Sequence, residues 1–402
     1  TTVMAGFFPV FFKSYWATGM SATESTVRLG TANALASLLV VLLAPLLGVI
    51  ADRSGHKKGL LLLFAMLGAL MSAGLFLVAE GYWLVAAGMY VLGVIGFAGG
   101  NVTYDAMLLD VADKSELERV SALGFALGYL GGGLLFAVNV LMVLYPEAFG
   151  LAGKSEAVRL AFLMVALWWA VFSLPVVFFV HEVPRPQVSV STRGVGIALR
   201  ELRETWRLLR RLRMAFLFLL AYWCYIDGVD TIVRMAVDYG LSLGFAAESL
   251  LTALLITQFV GFPAAIAFGW IGDRIGAKRA IWLTLFVYVL AVFWAWRMTA
   301  SWEFYGLAVV IGLVQGGIQS MSRALYARLI PAEHAGRLFG LYNMMGKFAA
   351  VVGPLLVGWV AVLTDSARTG ILSVLILFVA GGWLLARVDV AVGEREAKAV
   401  GA

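Results

Sequence analysis

The sequence is poor in cysteine, histidine and charged residues. Cys224 is the one cysteine, which excludes an internal disulfide and a cysteine metal cluster. The three histidines lie far apart in the chain, so we expect neither a metal site nor a cofactor. Charged residues make up 13% of the chain, whereas a soluble domain has about 25%. This deficit excludes a water-soluble fold.

The sequence consists mainly of long apolar stretches. Hydrophobic residues make up 62% of the chain, and its mean hydropathy is +0.93. Six apolar runs fall near 1–14, 26–50, 59–79, 83–110, 119–145 and 159–181, and six more near 213–238, 249–271, 279–298, 303–329, 336–363 and 369–387. Continuous runs predict helices rather than a barrel, so we expect an all-α membrane protein with twelve transmembrane helices. The first run is shorter than the roughly 20 residues of a span, and we expect a truncated first helix with preceding residues missing.

A charged loop occurs twice, once in each half of the chain. Residues 48–58 read GVIADRSGHKK, and residues 269–279 read GWIGDRIGAKR. Both copies follow the second apolar run of their half. A second match supports the duplication, because the spacing from Arg119 to Arg337 also relates Asp105 to Arg323 and Asp110 to Arg328. The repeat predicts two pseudo-symmetric six-helix bundles and favours a transporter that rocks one half against the other.

The distribution of positive charge predicts the orientation. The net charge is +6, but lysine and arginine are spread over short loops, which indicates membrane topology rather than nucleic-acid binding. We expect the repeated loops and both termini on the cytoplasmic side of a bacterial inner membrane. The domains are then a bundle at 1–182, a cytoplasmic linker at 183–212, a bundle at 213–387 and a frayed polar tail at 388–402. The linker is expected to hold an amphipathic helix on the inner leaflet, or else a regulatory segment that binds a partner.

The doubled loop resembles the loops between helices 2–3 and 8–9 of the major facilitator superfamily. Longer characteristic strings are YDAMLLD at 104–110, RVSALGFALGYLGGG at 119–133, YIDGVD at 225–230, GLVQGGIQ at 312–319, SRALYARLIP at 322–331 and GLYNMMGKF at 340–348. These strings are similar to the vacuole-effluxer-like branch of the superfamily, which includes the autophagy-related vacuolar amino-acid effluxer of fungi. The similarity spans nearly the whole chain, but the chain begins after the Tyr-Asp motif that the branch usually has early in helix 1. The resemblance implies secondary transport without fixing the substrate.

The strongest candidates for chemistry lie on the seventh run. Asp227, Asp230 and Arg234 share one helical face about 20 Å deep, where an unpaired charge costs about 2.5 kcal/mol or more. Lys347, on the eleventh run, lies at similar depth, and either aspartate can serve as its counter-charge. Protonation of that aspartate would free the lysine for an anionic group of a substrate. The alternatives are a static pair between the two helices and an Asp230–Arg234 pair that fixes one helix.

The fourth and tenth runs carry a further set of polar residues. They are Asn101, Tyr104 and Asp105 on the fourth, and Gln315, Gln319 and Arg323 on the tenth. We expect an Asp105–Arg323 bridge that closes a cytoplasmic gate. In the alternative, Arg323 binds an anionic substrate directly, and the glutamines supply hydrogen bonds or only pack.

Residues in and near the repeated loops are expected to form gate latches rather than substrate ligands. They are Gly48, Asp52, Arg53, Asp110, Gly269, Asp273, Arg274 and Arg328. Each loop aspartate can cap a helix N-terminus, each loop arginine can pair with an acid at a helix end, and Asp110 is the expected partner of Arg53.

The sequence thus predicts a monomeric transporter that moves a small polar solute, such as an amino acid, by alternating access. The expected direction is efflux, and the expected coupling ion is the proton. An alternative is export of a drug-like or other metabolite without proton coupling. Two alternative hypotheses, from other functional classes, are a transporter-like sensor and a lipid scramblase. The chain has no nucleophile–base set, so we do not expect an enzyme.

Overall fold

A computed structural model describes residues 2–181, 195–245 and 247–401, and the regular structure within these ranges is helical. The first half holds α1 (Thr2–Phe11), α2 (Ala22–Ser54), α3 (Lys57–Leu77), α4 (Trp83–Val111), α5 (Leu117–Leu144) and α6 (Lys154–Phe179). The second half holds α7 (Val195–Arg211), α8 (Arg213–Ser242), α9 (Ala247–Ile275), α10 (Ala277–Arg297), α11 (Ser301–Leu329), α12 (Ala335–Thr364), α13 (Ala367–Leu372), α14 (Val374–Ala386) and α15 (Val390–Gly401). A π-helical turn, Phe12–Trp16, extends α1.

The helices agree with the apolar runs of the sequence. Among the described residues, 11 helical stretches are long and apolar enough to cross a membrane. They correspond to α2–α6, α8–α12 and the α13–α14 stretch, which is divided at Ser373. The predicted multi-pass, all-helical architecture is confirmed. The helix α1 has 10 residues, fewer than the roughly 20 that a span requires.

The chain divides into two compact units whose bounds differ from the predicted halves. Unit 1 comprises Thr1–Met107 and Gly131–Ser191, and unit 2 comprises Leu108–Leu130 and Thr192–Ala402. The first half of α5 therefore belongs to the same unit as the C-terminal helices. This α5 segment brings residues from the first half of the sequence into contact with α9 and α11.

Unit 1 has an aromatic core and a capped turn at its repeated loop. Phe8 stacks on Tyr90 with ring centroids 4.2 Å apart, and the Trp16 indole N–H donates to Val78 O at 3.3 Å. Gly55 ends α2 with φ of +66°, in the left-handed region that favours glycine. The Lys58 ammonium then donates to two carbonyls at the C-terminal end of α6, at 2.6 and 3.0 Å. The loop thus ends one helix and caps another.

Unit 2 has a similar arrangement, with the capping lysine one position earlier in the loop. Gly276 has φ of +86° between α9 and α10, so both copies of the loop need glycine at the same position. The Lys278 ammonium donates to Ala386 O at 3.1 Å and Val388 O at 2.7 Å, at the end of α14. The unit end that carries this second loop is called the basic end below.

The linker and the tail are structured differently. Within the predicted linker, residues 183–194 lie outside the described residues, and α7 provides the predicted amphipathic helix. The expectation of a frayed tail is wrong, because α15 packs against α8 and α11 at the basic end. The Glu396 carboxylate accepts the Met214 N–H at 3.0 Å, near the start of α8. A Cβ on Gly393 would lie 3.0 Å from Met214 Cβ, so the two helices approach closely there.

Candidate functional site

A cluster of opposite charges is formed by residues of α8 and α12 in unit 2. Asp230 interacts electrostatically with Arg234, one turn further along α8, and with Lys347 on α12. Asp230 and Lys347 are half-buried, and Arg234 is exposed. One carboxylate thus lies within electrostatic range of two cations. Of the two aspartates considered from the sequence, Asp230 is the one that the structure places within electrostatic range of Lys347.

Asp227 has a different set of partners. Its side chain is 1% exposed, and its two carboxylate oxygens accept the Gly353 N–H at 3.0 and 3.1 Å. The Thr231 hydroxyl donates to the same carboxylate at 3.5 Å. Gly353 precedes Pro354, and a proline inside a helix disrupts the hydrogen bonds of the preceding turn. Asp227 therefore ties α8 to the proline-containing turn of α12, six residues beyond Lys347.

Polar side chains from three further helices lie around this charge cluster. The Tyr129 hydroxyl, from the α5 segment, donates to Gln319 Oε1 on α11 at 3.0 Å. Tyr129 and Tyr288, on α10, both lie within electrostatic range of Asp230. The buried Tyr288 hydroxyl and Trp223 indole N–H have no hydrogen-bond partner among the described residues. Buried polar atoms are rarely left without a partner, so these two are candidates for contact with a bound molecule.

Gln315 and Arg323 continue the polar face of α11 that the sequence predicts. Gln315 is half-buried, one turn before Gln319. Arg323 is 3% exposed, and its guanidinium donates to Ser121 Oγ at 2.9 Å and to Ser121 O at 2.8 Å. It also lies 4.7 Å from the ring centroid of Phe125. Arg323 therefore joins α11 to the α5 segment.

Three predicted residues of α4 fall in unit 1. Asp105 is 8% exposed, Tyr104 is 41% exposed and Asn101 is half-buried. Asp105 and Arg323 belong to different units, so the proposed bridge between them stays a prediction. The same holds for Arg53 of unit 1 and Asp110 of unit 2, both half-buried. In the first repeated loop Gly48 is buried and Asp52 is half-buried.

The basic end of unit 2 carries two ion pairs between the start of α5 and the C-terminal helices. The Arg328 guanidinium donates to both carboxylate oxygens of Glu118, at 2.7 and 2.6 Å, and lies 3.6 Å from Glu394 of α15. The second pair joins Arg119 to Asp273 of the repeated loop. We call the two pairs the basic-end latch. Glu118 and Glu394 were missed by the sequence reasoning, although Glu118 directly precedes Arg119.

The glycines of the second loop allow the latch to form. A Cβ on Gly269 would lie 2.9 Å from Ala122 Cβ, and one on Gly272 would lie 3.1 Å from Glu118 Cγ. The first distance is shorter than real Cβ contacts and the second is tight, so the two glycines allow α9 to pack closely against the α5 segment. Arg274, next to Asp273, is exposed. Of the two charged loop residues, only the aspartate takes part in the latch.

The sequence matches the family model described as "Vacuole effluxer Atg22 like" over residues 14–117 and 109–398. It is 38% identical over 386 residues to the uncharacterized MFS-type transporter YxiO of Bacillus subtilis, covering 96% of this chain and 90% of that protein. It is 27% identical over 305 residues to autophagy-related protein 22 of Cryptococcus neoformans, covering 69% of this chain and 54% of that protein. The chain thus spans about half of the fungal relative and nearly all of the bacterial one.

A solved structure has the same fold. The human organic anion transporter MFSD10 superposes with a TM-score of 0.72 over 96% of this chain and 95% of that one. The sequences are 16% identical, so this likeness concerns the fold alone. The relatives are transporters and not enzymes, and the predicted major facilitator fold is confirmed.

Proposed function

We propose that this chain, which belongs to the vacuole effluxer Atg22-like family of the major facilitator superfamily, exports a small zwitterionic solute such as an amino acid by alternating access. The cluster of Asp230, Arg234 and Lys347 carries the proposal. An α-amino acid has an ammonium group and a carboxylate a few ångströms apart. Asp230 suits the ammonium group, and the two cations suit the carboxylate.

The polar surroundings of the cluster fit such a solute. The Tyr288 hydroxyl and the Trp223 N–H can each gain a partner from a polar solute, and the Tyr129–Gln319 pair offers further hydrogen bonds. The hydrogen bond between Gly353 and Asp227 holds the proline-containing turn of α12 against α8, and this fixes the position of the nearby turn that carries Lys347. Asp227 is then a positioning residue rather than a ligand.

The basic-end latch supplies the gating part of the proposal. Ion pairs that form in one transport state and break in another set the balance between the two states. We assign this role to Glu118, Arg119, Asp273 and Arg328, with the basic end on the cytoplasmic side of a bacterial inner membrane. The C-terminal helix α15 then lies on the cytoplasmic side, and the positive-inside pattern independently predicts a cytoplasmic position for both termini.

We assign proton coupling to the same cluster. A proton on Asp230 would cancel its attraction for the solute ammonium group, so that a proton and the solute compete for this carboxylate. Export would then depend on a pH gradient. The alternative hypothesis is export of an organic anion without proton coupling. For that function the two cations suffice, and Asp230 is not needed.

The test is transport by the protein reconstituted in proteoliposomes, with radiolabelled amino acids and with analogues that lack the amino or the carboxyl group. We expect the zwitterion to be transported faster than either analogue. Asp230→Asn should remove the preference for the amino group, and Lys347→Gln the preference for the carboxyl group. Asp113→Asn and Lys398→Gln, at exposed positions of the same charge types, are the matched controls.

Each alternative has its own signature in this assay. Equal rates with and without a pH gradient would exclude proton coupling. Equal transport rates for the amino acid and its deaminated analogue would favour export of an organic anion. No solute flux, together with movement of labelled lipid between the leaflets, would favour a scramblase, and neither activity would favour a sensor.

A further inference from the structure

Six arginines are exposed within one short stretch at the basic end. They are Arg200, Arg203, Arg207, Arg210 and Arg211 of α7, and Arg213 at the start of α8. The opposite face of the stretch is buried, with Glu201 6%, Thr205 1% and Leu209 1% exposed at a spacing of four residues. This face packs against α8 and α12. The arginines therefore point away from unit 2.

The acids of α7 do not neutralise this surface. Glu201 is buried on the opposite face, and Glu204 is engaged by Arg200, with 3.0 Å between Oε1 and Nε. Within the described part of the chain, the other five arginines form no ion pair with a carboxylate. We call these five the arginine face: Arg203, Arg207, Arg210, Arg211 and Arg213. It presents five positive charges to whatever lies beside it.

The position of the arginine face identifies what lies beside it. Arg213 is the first residue of a membrane-spanning helix, and Arg203 lies less than three helical turns before it. Trp206, in the same stretch, is 41% exposed and touches the ring of Phe216 edge-on, with centroids 5.6 Å apart. Tryptophan is enriched at the level of lipid headgroups. The arginines are therefore within reach of the phosphates of the adjoining leaflet.

We propose that the arginine face binds the headgroups of anionic phospholipids in the leaflet that adjoins the start of α8. Guanidinium groups make paired hydrogen bonds with phosphate oxygens, and a cluster of basic residues just outside a span attracts anionic lipid. A zwitterionic lipid presents the same phosphate with no net charge, so the binding selects for lipid charge. Binding of an acidic protein would explain neither the position of the arginine face beside a membrane-spanning helix nor the exposed tryptophan next to it.

The test measures binding of fluorescent phosphatidylglycerol and fluorescent phosphatidylcholine to the purified protein in neutral detergent, by anisotropy. Each arginine near a membrane surface contributes about five-fold to the affinity for anionic lipid, so Arg207→Gln with Arg210→Gln should weaken phosphatidylglycerol binding about 25-fold. The matched control removes two exposed positive charges elsewhere, by Lys114→Gln with Lys398→Gln. The control should bind as the unchanged protein does, and phosphatidylcholine binding should be the same for all three.

Three results would overturn the proposal. One is equal phosphatidylglycerol affinity in the unchanged protein and in the double arginine variant. Another is the same loss in the lysine control, which would mean that total charge and not the arginine face attracts the lipid. The third is an equal loss of phosphatidylcholine binding, which would indicate a damaged surface. Because both arginines are exposed, the variant should keep the melting temperature of the unchanged protein, and this is measured first.

Discussion

The two ion pairs of the basic-end latch should differ widely in strength. Glu118 is 2% exposed and Arg328 is 21% exposed, whereas Arg119 is 62% exposed and Asp273 is 13% exposed. Breaking a buried pair by removal of one partner costs about 3–5 kcal/mol, and an exposed pair contributes about 0–1 kcal/mol. Glu394, 3.6 Å from Arg328, retains part of the attraction when Glu118 is changed. We therefore expect a coupling energy of about 2–3 kcal/mol for Glu118–Arg328.

Two double-mutant cycles measure these energies. One cycle combines Glu118→Gln with Arg328→Gln, and the other combines Arg119→Gln with Asp273→Asn. The quantity compared is the free energy of unfolding, from reversible denaturation in bicelles. The first cycle should give a coupling of about 2–3 kcal/mol and the second less than about 1 kcal/mol.

Two results would contradict the expected difference between the two ion pairs. Equal coupling energies in the two cycles would mean that exposure does not decide the strength of these pairs. A coupling below about 0.5 kcal/mol for Glu118–Arg328 would mean that its two short hydrogen bonds are offset by desolvation of the charges. In the second case the latch would not rest on Glu118.

Three further predictions concern backbone positions and their partners. Gly353→Ala should lower the free energy of unfolding by about 2 kcal/mol or more, because its Cβ would overlap the Thr231 hydroxyl; a melting temperature equal to that of the unchanged protein would contradict the fit. Gly276→Ala should cost about 1–2 kcal/mol in the same measurement, since an alanine is strained at a φ of +86°. Glu396→Gln retains an acceptor for the Met214 N–H and should cost less than about 1 kcal/mol, whereas Glu396→Ala should cost about 1–3 kcal/mol; equal losses would indicate a role for the charge.

Much of the fold could be predicted because membrane helices and repeats leave local signals. A span needs a long apolar run, so the sequence alone locates α2–α6 and α8–α12. The glycines at 55 and 276 stand at equivalent places in the two loops, and both have positive φ. The tail was misjudged because α15 is polar, and its stability comes from contacts with α8 and α11 that no local pattern predicts.

The candidate site was predictable only in part. Residue spacing placed Asp227, Asp230 and Arg234 on one helical face, but spacing within one helix does not identify partners on another. The backbone N–H of Gly353, which binds Asp227, has no side-chain signature at all. Glu118 escaped notice because a glutamate at a helix start is ordinarily solvated. Here Glu118 packs against Gly272, is buried, and forms an ion pair with Arg328.

The contact between Glu396 and the start of α8 also has a consequence for biosynthesis. The acceptor is translated 182 residues after the amide that it binds. At about 5–20 residues per second, the nascent chain grows for about 10–40 s before this hydrogen bond can form. A product that stops before α15 would insert its spans and still lack the Glu394 and Glu396 contacts at the basic end. Chains that extend through α15 thus differ physically from shorter products that lack these contacts.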